Sequence, residues 1–220
     1  MRSFEEIYEI SAKRKGEDAL KAHLTPSKSP EDLAQIPDHR WLSQMTRCIF
    51  QAGFNWKVVE AMWPGFEDAF HQFDVHKCAM LHGEDFDRLV QDTRIIRYGA
   101  KIEAVQQNAV FLTELQEEHG SAAALIANWP SEDFIGLLSL LKKRGTRLGG
   151  TTGQYCLRSM GKDSFILSKD VIGRLIAEGV IDKNPTSQKA MTAVQEAFNR
   201  WSDQSGQSLT NISRVLAMSL

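Results

Sequence analysis

Cysteine is scarce in this chain. There are three, Cys48, Cys78 and Cys156, widely spaced and without a CxxC pair. An odd, scattered set argues against a disulfide framework and against zinc held by cysteine pairs. The six histidines are scattered too, and none forms the i, i+4 pair that a helical metal site uses. No metal and no cofactor are expected. No apolar run approaches the ~20 residues of a membrane span, and the N-terminus, MRSFEEIYEISAKRKG, alternates charged and apolar residues unlike a signal peptide. The expected location is the cytoplasm. Val-Ile-Thr-rich alternation is missing, which excludes a substantial sheet. A strong positive charge is missing as well. The net charge of −2 argues against a protein that coats nucleic acid by bulk charge, and leaves room for a local basic patch.

What is present is a globular composition, 42% hydrophobic and 25% charged over 220 residues, enough for a real core. The periodicity is helical almost throughout. Ile102, Val105, Ala109, Leu112 and Leu115 recur at three- and four-residue steps and make one apolar stripe. Phe4, Ile7 and Tyr8 do the same at the start, and Ala190, Val194, Ala197, Phe198 and Trp201 near the end. Ten or more helices and no sheet are expected: an all-α fold. Residues 25–37, with three of the six prolines, read as a connecting segment, and Pro64-Gly65 as a break after Trp63. Gly120 and Trp129-Pro130-Ser131 bound another helix, and Asn184-Pro185-Thr186-Ser187 ends one helix and caps the next.

Residues 137–155 carry the most chemistry. An apolar helix, Leu137 to Leu141, runs into Lys142-Lys143-Arg144-Gly145-Thr146-Arg147-Leu148-Gly149-Gly150, and a second helix opens at Thr151 or Thr152. Glycines let such a turn approach another surface closely. The unpaired amides of the second helix attract anions. Four of the six residues from Lys142 to Arg147 are basic, which suits a phosphate backbone. A plain helix C-cap followed by a solvated charged loop is the competing reading. No Gly-Lys-Ser/Thr follows, so a mononucleotide P-loop is excluded.

Four motifs in order then resemble the DNA-3-methyladenine glycosylase I family. They are Gln51-Ala52-Gly53-Phe54-Asn55-Trp56; Phe70-His71-Gln72-Phe73-Asp74; Leu89-Val90-Gln91-Asp92 through Ile95-Ile96-Arg97, with Lys101-Ile102 and Asn108-Ala109; and Leu141-Lys142-Lys143-Arg144-Gly145 through Gly150, Thr152 and Tyr155. The resemblance implies a helix-hairpin-helix glycosylase fold, two helical lobes with a cleft between them. The expected organisation is one domain over residues 1–220, with the hairpin at about 137–160 and an N-terminal helical extension at about 1–37. It also implies base excision, in which an alkylated base is flipped from double-stranded DNA and its N-glycosidic bond hydrolysed. The leading substrate is 3-methyladenine, and the protein would lie on the nucleoid when bound. Lys142, Lys143, Arg144, Arg147, Gly149, Gly150, Thr151 and Thr152 would hold the backbone.

Trp56 matches the family's pocket tryptophan, with Gln51, Trp41 and Tyr155 as further pocket candidates. The family's acidic pocket residue aligns with Cys48. The opening segments that supply part of the family's zinc site are missing, and its remaining two ligands align with Asp170 and Arg174. Ser168 stands where the wider superfamily has a catalytic aspartate. Asp170, two residues on, is the candidate catalytic group, or else a first-turn carboxylate behind a Ser168 N-cap. Threonines at 151 and 152, where a lyase needs lysine, imply a monofunctional enzyme. The competing readings are a diverged relative that binds DNA without excision, and a glycosylase of altered substrate.

Overall fold

The computed structural model describes residues 1–220. It contains fourteen α-helices and no strand. They are α1 (Phe4–Lys15), α2 (Glu17–His23), α3 (Pro30–Ala34), α4 (Asp38–Gln51), α5 (Trp56–Ala69), α6 (Val75–Ala79), α7 (Gly83–Leu89), α8 (Gly99–His119), α9 (Ala122–Asn128), α10 (Phe134–Arg144), α11 (Thr151–Met160), α12 (Lys169–Ala177), α13 (Gln188–Ser205) and α14 (Leu209–Met218). The all-α expectation holds. No helix is long and apolar enough to cross a membrane. The chain divides into two compact units, one of residues 1–28, 129–137 and 161–220, the other of residues 29–128 and 138–160.

In the first unit α14 packs against α1, α12 and α13. The terminal stripe forms as its spacing requires, with Val194, Ala197, Phe198 and Trp201 buried. Phe165 stacks on Phe198 at 4.4 Å and takes the edge of Phe134 at 4.8 Å. Ser187 caps α13 by accepting from the Ala190 amide at 3.2 Å. An ionic staple joins the chain's start to α12. Buried Glu178 accepts from the Arg2 guanidinium at 2.7 Å and from buried Arg174 at 3.2 Å. Arg174 also donates to the Ser219 hydroxyl.

In the second unit α4 packs against α8 and α11. The α8 stripe of Ile102, Val105, Ala109, Leu112 and Leu115 is fully buried. Two expectations fail here. Residues 25–37 are not all connector, because Ser29 accepts from the Asp32 amide at 3.1 Å and, with Pro30 in the first turn, starts α3. Nor does Pro64-Gly65 break the chain. Helix α5 runs through it, because Trp63 and Phe66 on either side are core residues. A side chain at Gly65 would strike the Arg94 backbone, so the glycine admits a neighbouring segment rather than a turn.

The FHQFD motif turns out to build the core. His71, Gln72 and Phe73 all adopt left-handed φ near +55 to +58°, a costly turn for side-chain-bearing residues. It is held because Arg40 donates to the Gln72 carbonyl at 2.9 Å. Phe70 and Phe73 also stack in a row with Trp63 and Phe66. Glu67 fixes Arg40 by accepting two bonds from it, and takes further bonds from Ser43 and the Trp63 indole.

Candidate active site

The hairpin forms as its residues predict. Helix α10 ends at Arg144 and α11 opens at Thr151. Two glycines are required there. Gly150 has φ +58°, and a side chain at Gly153 would collide with the Leu148 carbonyl oxygen, so α11 could not approach the turn. Buried Leu148 plugs the turn from below. Buried Asn108 on α8 latches it: its Nδ2 donates to the Thr146 carbonyl at 3.0 Å and its Oδ1 accepts from the Thr146 amide at 2.9 Å. This two-ended bond fixes the loop by both backbone groups of one residue.

The four hairpin cations are not equivalent. Arg144 is half-buried and bound to Glu118 at 2.6 Å and Glu114 at 3.1 Å, and these bonds hold it against α8. Arg147 adopts φ +60°, donates to the Ala100 carbonyl at 3.1 Å and lies over the Tyr98 ring. Lys142 and Lys143 are exposed and make no ion pair. Gly150 and Thr151 are exposed, and Gly149 and Thr152 half-buried.

Among the five tryptophans, exposure separates one from the rest. Trp41 and Trp201 are fully buried, Trp63 is a core residue and half-buried Trp129 bonds Asp133, whereas Trp56 is 52% exposed. It sits in the first turn of α5 behind Asn55, whose side chain accepts from the Lys57 amide at 3.0 Å. Its ring meets Tyr155 of α11 edge-on at 5.8 Å, and Tyr155 is itself 36% exposed. The two therefore form a partly open aromatic wall beside the hairpin. Trp41, in contrast, has no exposed face to offer a base.

Polar groups on α4 adjoin this wall. Half-buried Gln51 donates to Glu60 of α5 at 2.8 Å, and Arg47 approaches Glu60 at 3.7 Å while lying over Trp63. Buried Cys48 accepts from Gln44 Nε2 at 3.3 Å. A hydrogen bond from the Cys156 thiol of α11, helped by Gln44 and Arg47, lowers the Cys48 thiol below its ordinary value, although burial opposes this.

Lys101 is a residue that pattern reading leaves without a role. Its Nζ donates to the Ala52 and Phe50 carbonyls at 2.6 and 3.3 Å, tying off the end of α4, and lies 4.4 Å over the Phe54 ring. Burial, then the Arg147 charge, pulls its ammonium below the ordinary lysine range. Exposed Phe54 and Tyr98 meet edge-on at 6.3 Å above it.

Asp170 lies in the other unit. Ser168 accepts from the Val171 amide at 3.3 Å and is the N-cap of α12, and Asp170 stands exposed in the first turn without an ion pair. Arg174 is spent on Glu178 and Ser219.

A methyladenine glycosylase family profile matches residues 35–136, which hold the first three motifs; the hairpin lies beyond the match. DNA-3-methyladenine glycosylase 1 of Escherichia coli (strain K12) is 33% identical over 124 residues, covering 48% of this chain and 66% of that protein. A DNA-3-methyladenine glycosylase of Haemophilus influenzae is 41% identical over 59 residues, covering 27% of this chain and 32% of that protein. The chain thus spans just under two thirds of the first relative's length and about a third of the second's. The Methanocaldococcus jannaschii 8-oxoguanine glycosylase/lyase, solved with a 15mer DNA containing 8-oxoguanine, superposes with a TM-score of 0.54 at 12% identity, over 96% of this chain and 93% of that one. That likeness is one of fold. Over residues 35–136, which hold three of the four motifs, the chain is thus similar to the methyladenine glycosylases.

Proposed function

We propose that the protein is a monofunctional DNA glycosylase that hydrolyses the N-glycosidic bond of alkylated purines, with 3-methyladenine the leading substrate. The observation that carries this reading is the exposed Trp56–Tyr155 wall at the root of the hairpin, 5.8 Å between centroids. An exposed indole set edge-on to a second ring offers its face to a base, and base–aromatic stacking contributes ~1–3 kcal/mol. Lys142, Lys143 and the amides from Gly149 to Thr152 hold the phosphates of the duplex, with Arg144 and Arg147 shaping the loop.

The chemistry asks little of the protein. A purine alkylated at N3 is a cation. The glycosidic electron pair leaves with the base and neutralises it, so no strong general acid is needed. The positive charge passes to the sugar as an oxocarbenium, which an anionic field stabilises and water captures, losing a proton. Thr151 and Thr152 offer no amine for a Schiff base, which favours hydrolysis over a lyase step. Asp170 is the candidate for the anionic field.

The test is a panel of duplexes carrying 3-methyladenine, 7-methylguanine or an uncharged lesion, incubated with wild type and Asp170→Asn. Selective release of the cationic bases supports the reading. Loss in Asp170→Asn with intact duplex binding assigns that carboxylate to catalysis, and full activity makes it a helix-terminus residue. Duplex binding without release of any base refutes the reading and leaves a DNA-recognition protein.

A further inference from the structure

Helix α5 carries Glu60 one turn beyond Trp56. Residues four apart share a helix face, and helical side chains lean toward the N-terminus. The Glu60 carboxylate therefore stands over the turn that presents the indole. Two contacts fix it, and both fall on one oxygen. Gln51, the last residue of α4, donates to Oε1 at 2.8 Å, and Arg47 Nε lies 3.7 Å from the same atom. No group of the protein bonds Oε2, and 47% of the side chain is exposed. Other carboxylates of this unit are neutralised at close range. Glu67 is bound to Arg40 at 2.9 Å, Asp92 to Arg94 at 2.8 Å and Glu118 to Arg144 at 2.6 Å. Arg47 does not close on Glu60 in this way. Its guanidinium lies over the Trp63 ring at 4.4 Å, and its Nε is buried without a hydrogen-bond partner. The result is a carboxylate held by one oxygen and open at the other, beside an exposed aromatic face.

We propose that Glu60 selects the cationic base: its Oε2 accepts a hydrogen bond from the alkylpurine stacked on Trp56. The inference deepens the glycosylase reading and rests on it for the substrate. A purine alkylated at N3 spreads a positive charge over its ring, and that charge makes its exocyclic N–H a stronger donor. The bond to a carboxylate is then charge-assisted, and an uncharged base makes a weaker one. Gln51 is the positioning residue, because its amide occupies Oε1 and fixes the rotation of the carboxylate. The anion comes from α5 and not from the α4 position that Cys48 occupies.

Base release and duplex binding are measured for wild type, Glu60→Gln and Glu60→Asp in mildly alkaline buffer. One duplex carries 3-methyladenine. The other carries 3-deaza-3-methyladenine, an uncharged isostere that is not cleaved. Glu60→Gln keeps the size of the side chain and an oxygen for Gln51 but loses the charge. The side chain is half exposed, so the change leaves the fold intact. Glu60→Gln is expected to slow single-turnover release of 3-methyladenine about 10–100-fold, the weight of one hydrogen bond to a charged group, and to bind the isostere duplex as wild type does. Glu60→Asp is expected to keep more of the rate than Glu60→Gln. Release by Glu60→Gln equal to wild type overturns the inference and leaves the glycosylase reading standing. An equal loss of isostere affinity also overturns it, because Glu60 would then brace Gln51 rather than read charge. If wild type frees no base, the glycosylase reading fails and binding alone decides the inference. A preference for the 3-methyladenine duplex over the isostere, present in wild type and lost in Glu60→Gln, upholds charge recognition by Glu60; no such preference overturns it.

Discussion

Replacing Asn108 by alanine removes two hydrogen bonds and leaves both backbone groups of Thr146 without partners. Each orphaned group costs about 1–3 kcal/mol when water cannot reach it. Thr146 is half-buried, so water reaches part of the turn and the low end applies. The expected loss is about 2–3 kcal/mol, of which the vacated space beside Gly145 contributes part. For a chain of this size a kcal/mol moves Tm by roughly 2–4 °C, so Asn108→Ala is expected to melt about 5–10 °C early in a thermal scan followed by circular dichroism. The expected functional effect is larger, because the latch positions the amides proposed to meet phosphate. Fluorescence anisotropy at constant salt is expected to show duplex affinity falling by more than the loss of folded protein explains. If Asn108→Ala melts within a degree of wild type and binds duplex equally well, the latch neither stabilises nor positions the hairpin, and the reasoning fails.

Three further outcomes follow from the same geometry. Lys142→Ala with Lys143→Ala is expected to reduce the slope of log affinity against log salt by about two, one per lost phosphate contact; an unchanged slope would place the phosphates elsewhere. Gly153→Ala is expected to destabilise by about 1–3 kcal/mol, because its methyl would collide with the Leu148 carbonyl; a wild-type denaturant midpoint would contradict this. Glu178 makes stability pH-dependent. Burial raises its pKa, but hydrogen bonds from Arg2 and Arg174 outweigh this and hold it below the ordinary glutamate value. The stabilisation is therefore complete above about pH 4.3 and drains as pH falls from there through the folded-state value. The Tm of Glu178→Gln is expected to be lower than wild type at neutral pH, with the two curves converging in acid; parallel curves would refute the assignment.

Much of the fold can be read from local sequence. The α8 stripe, the Ser187 cap and the opening of α11 at Thr151 need only spacing and end chemistry, and all three form as expected. Helix α3 was also readable, since Ser29-Pro30 followed by acidic residues is a helix start, but the prolines on either side suggest a connector. The continuity of α5 through Pro64 was not readable. It depends on burial of Trp63 and Phe66 and on the Arg94 backbone lying against Gly65, which are tertiary facts.

The candidate site divides in the same way. Trp56 can be singled out by its motif, and its exposure then distinguishes it from the buried tryptophans. The Asn108 latch joins residues 38 apart, and the Trp56–Tyr155 pair joins two different helices. Neither leaves a periodic trace. Arg144 looks like a phosphate ligand from its neighbours in sequence, and only the fold brings Glu114 and Glu118 to it.

The most direct measurement is single-turnover release of 3-methyladenine from methylated duplex by wild type and Trp56→Ala, with duplex affinity and Tm recorded for both. Trp56 is 52% exposed and its edge contact with Tyr155 contributes about 0.5–1.5 kcal/mol, so the variant folds. The account predicts that wild type frees the base and that Trp56→Ala binds duplex but releases it at least about tenfold more slowly, matching the loss of one stacking contact. Equal release by the two proteins, or none by a folded, DNA-binding wild type, would contradict it.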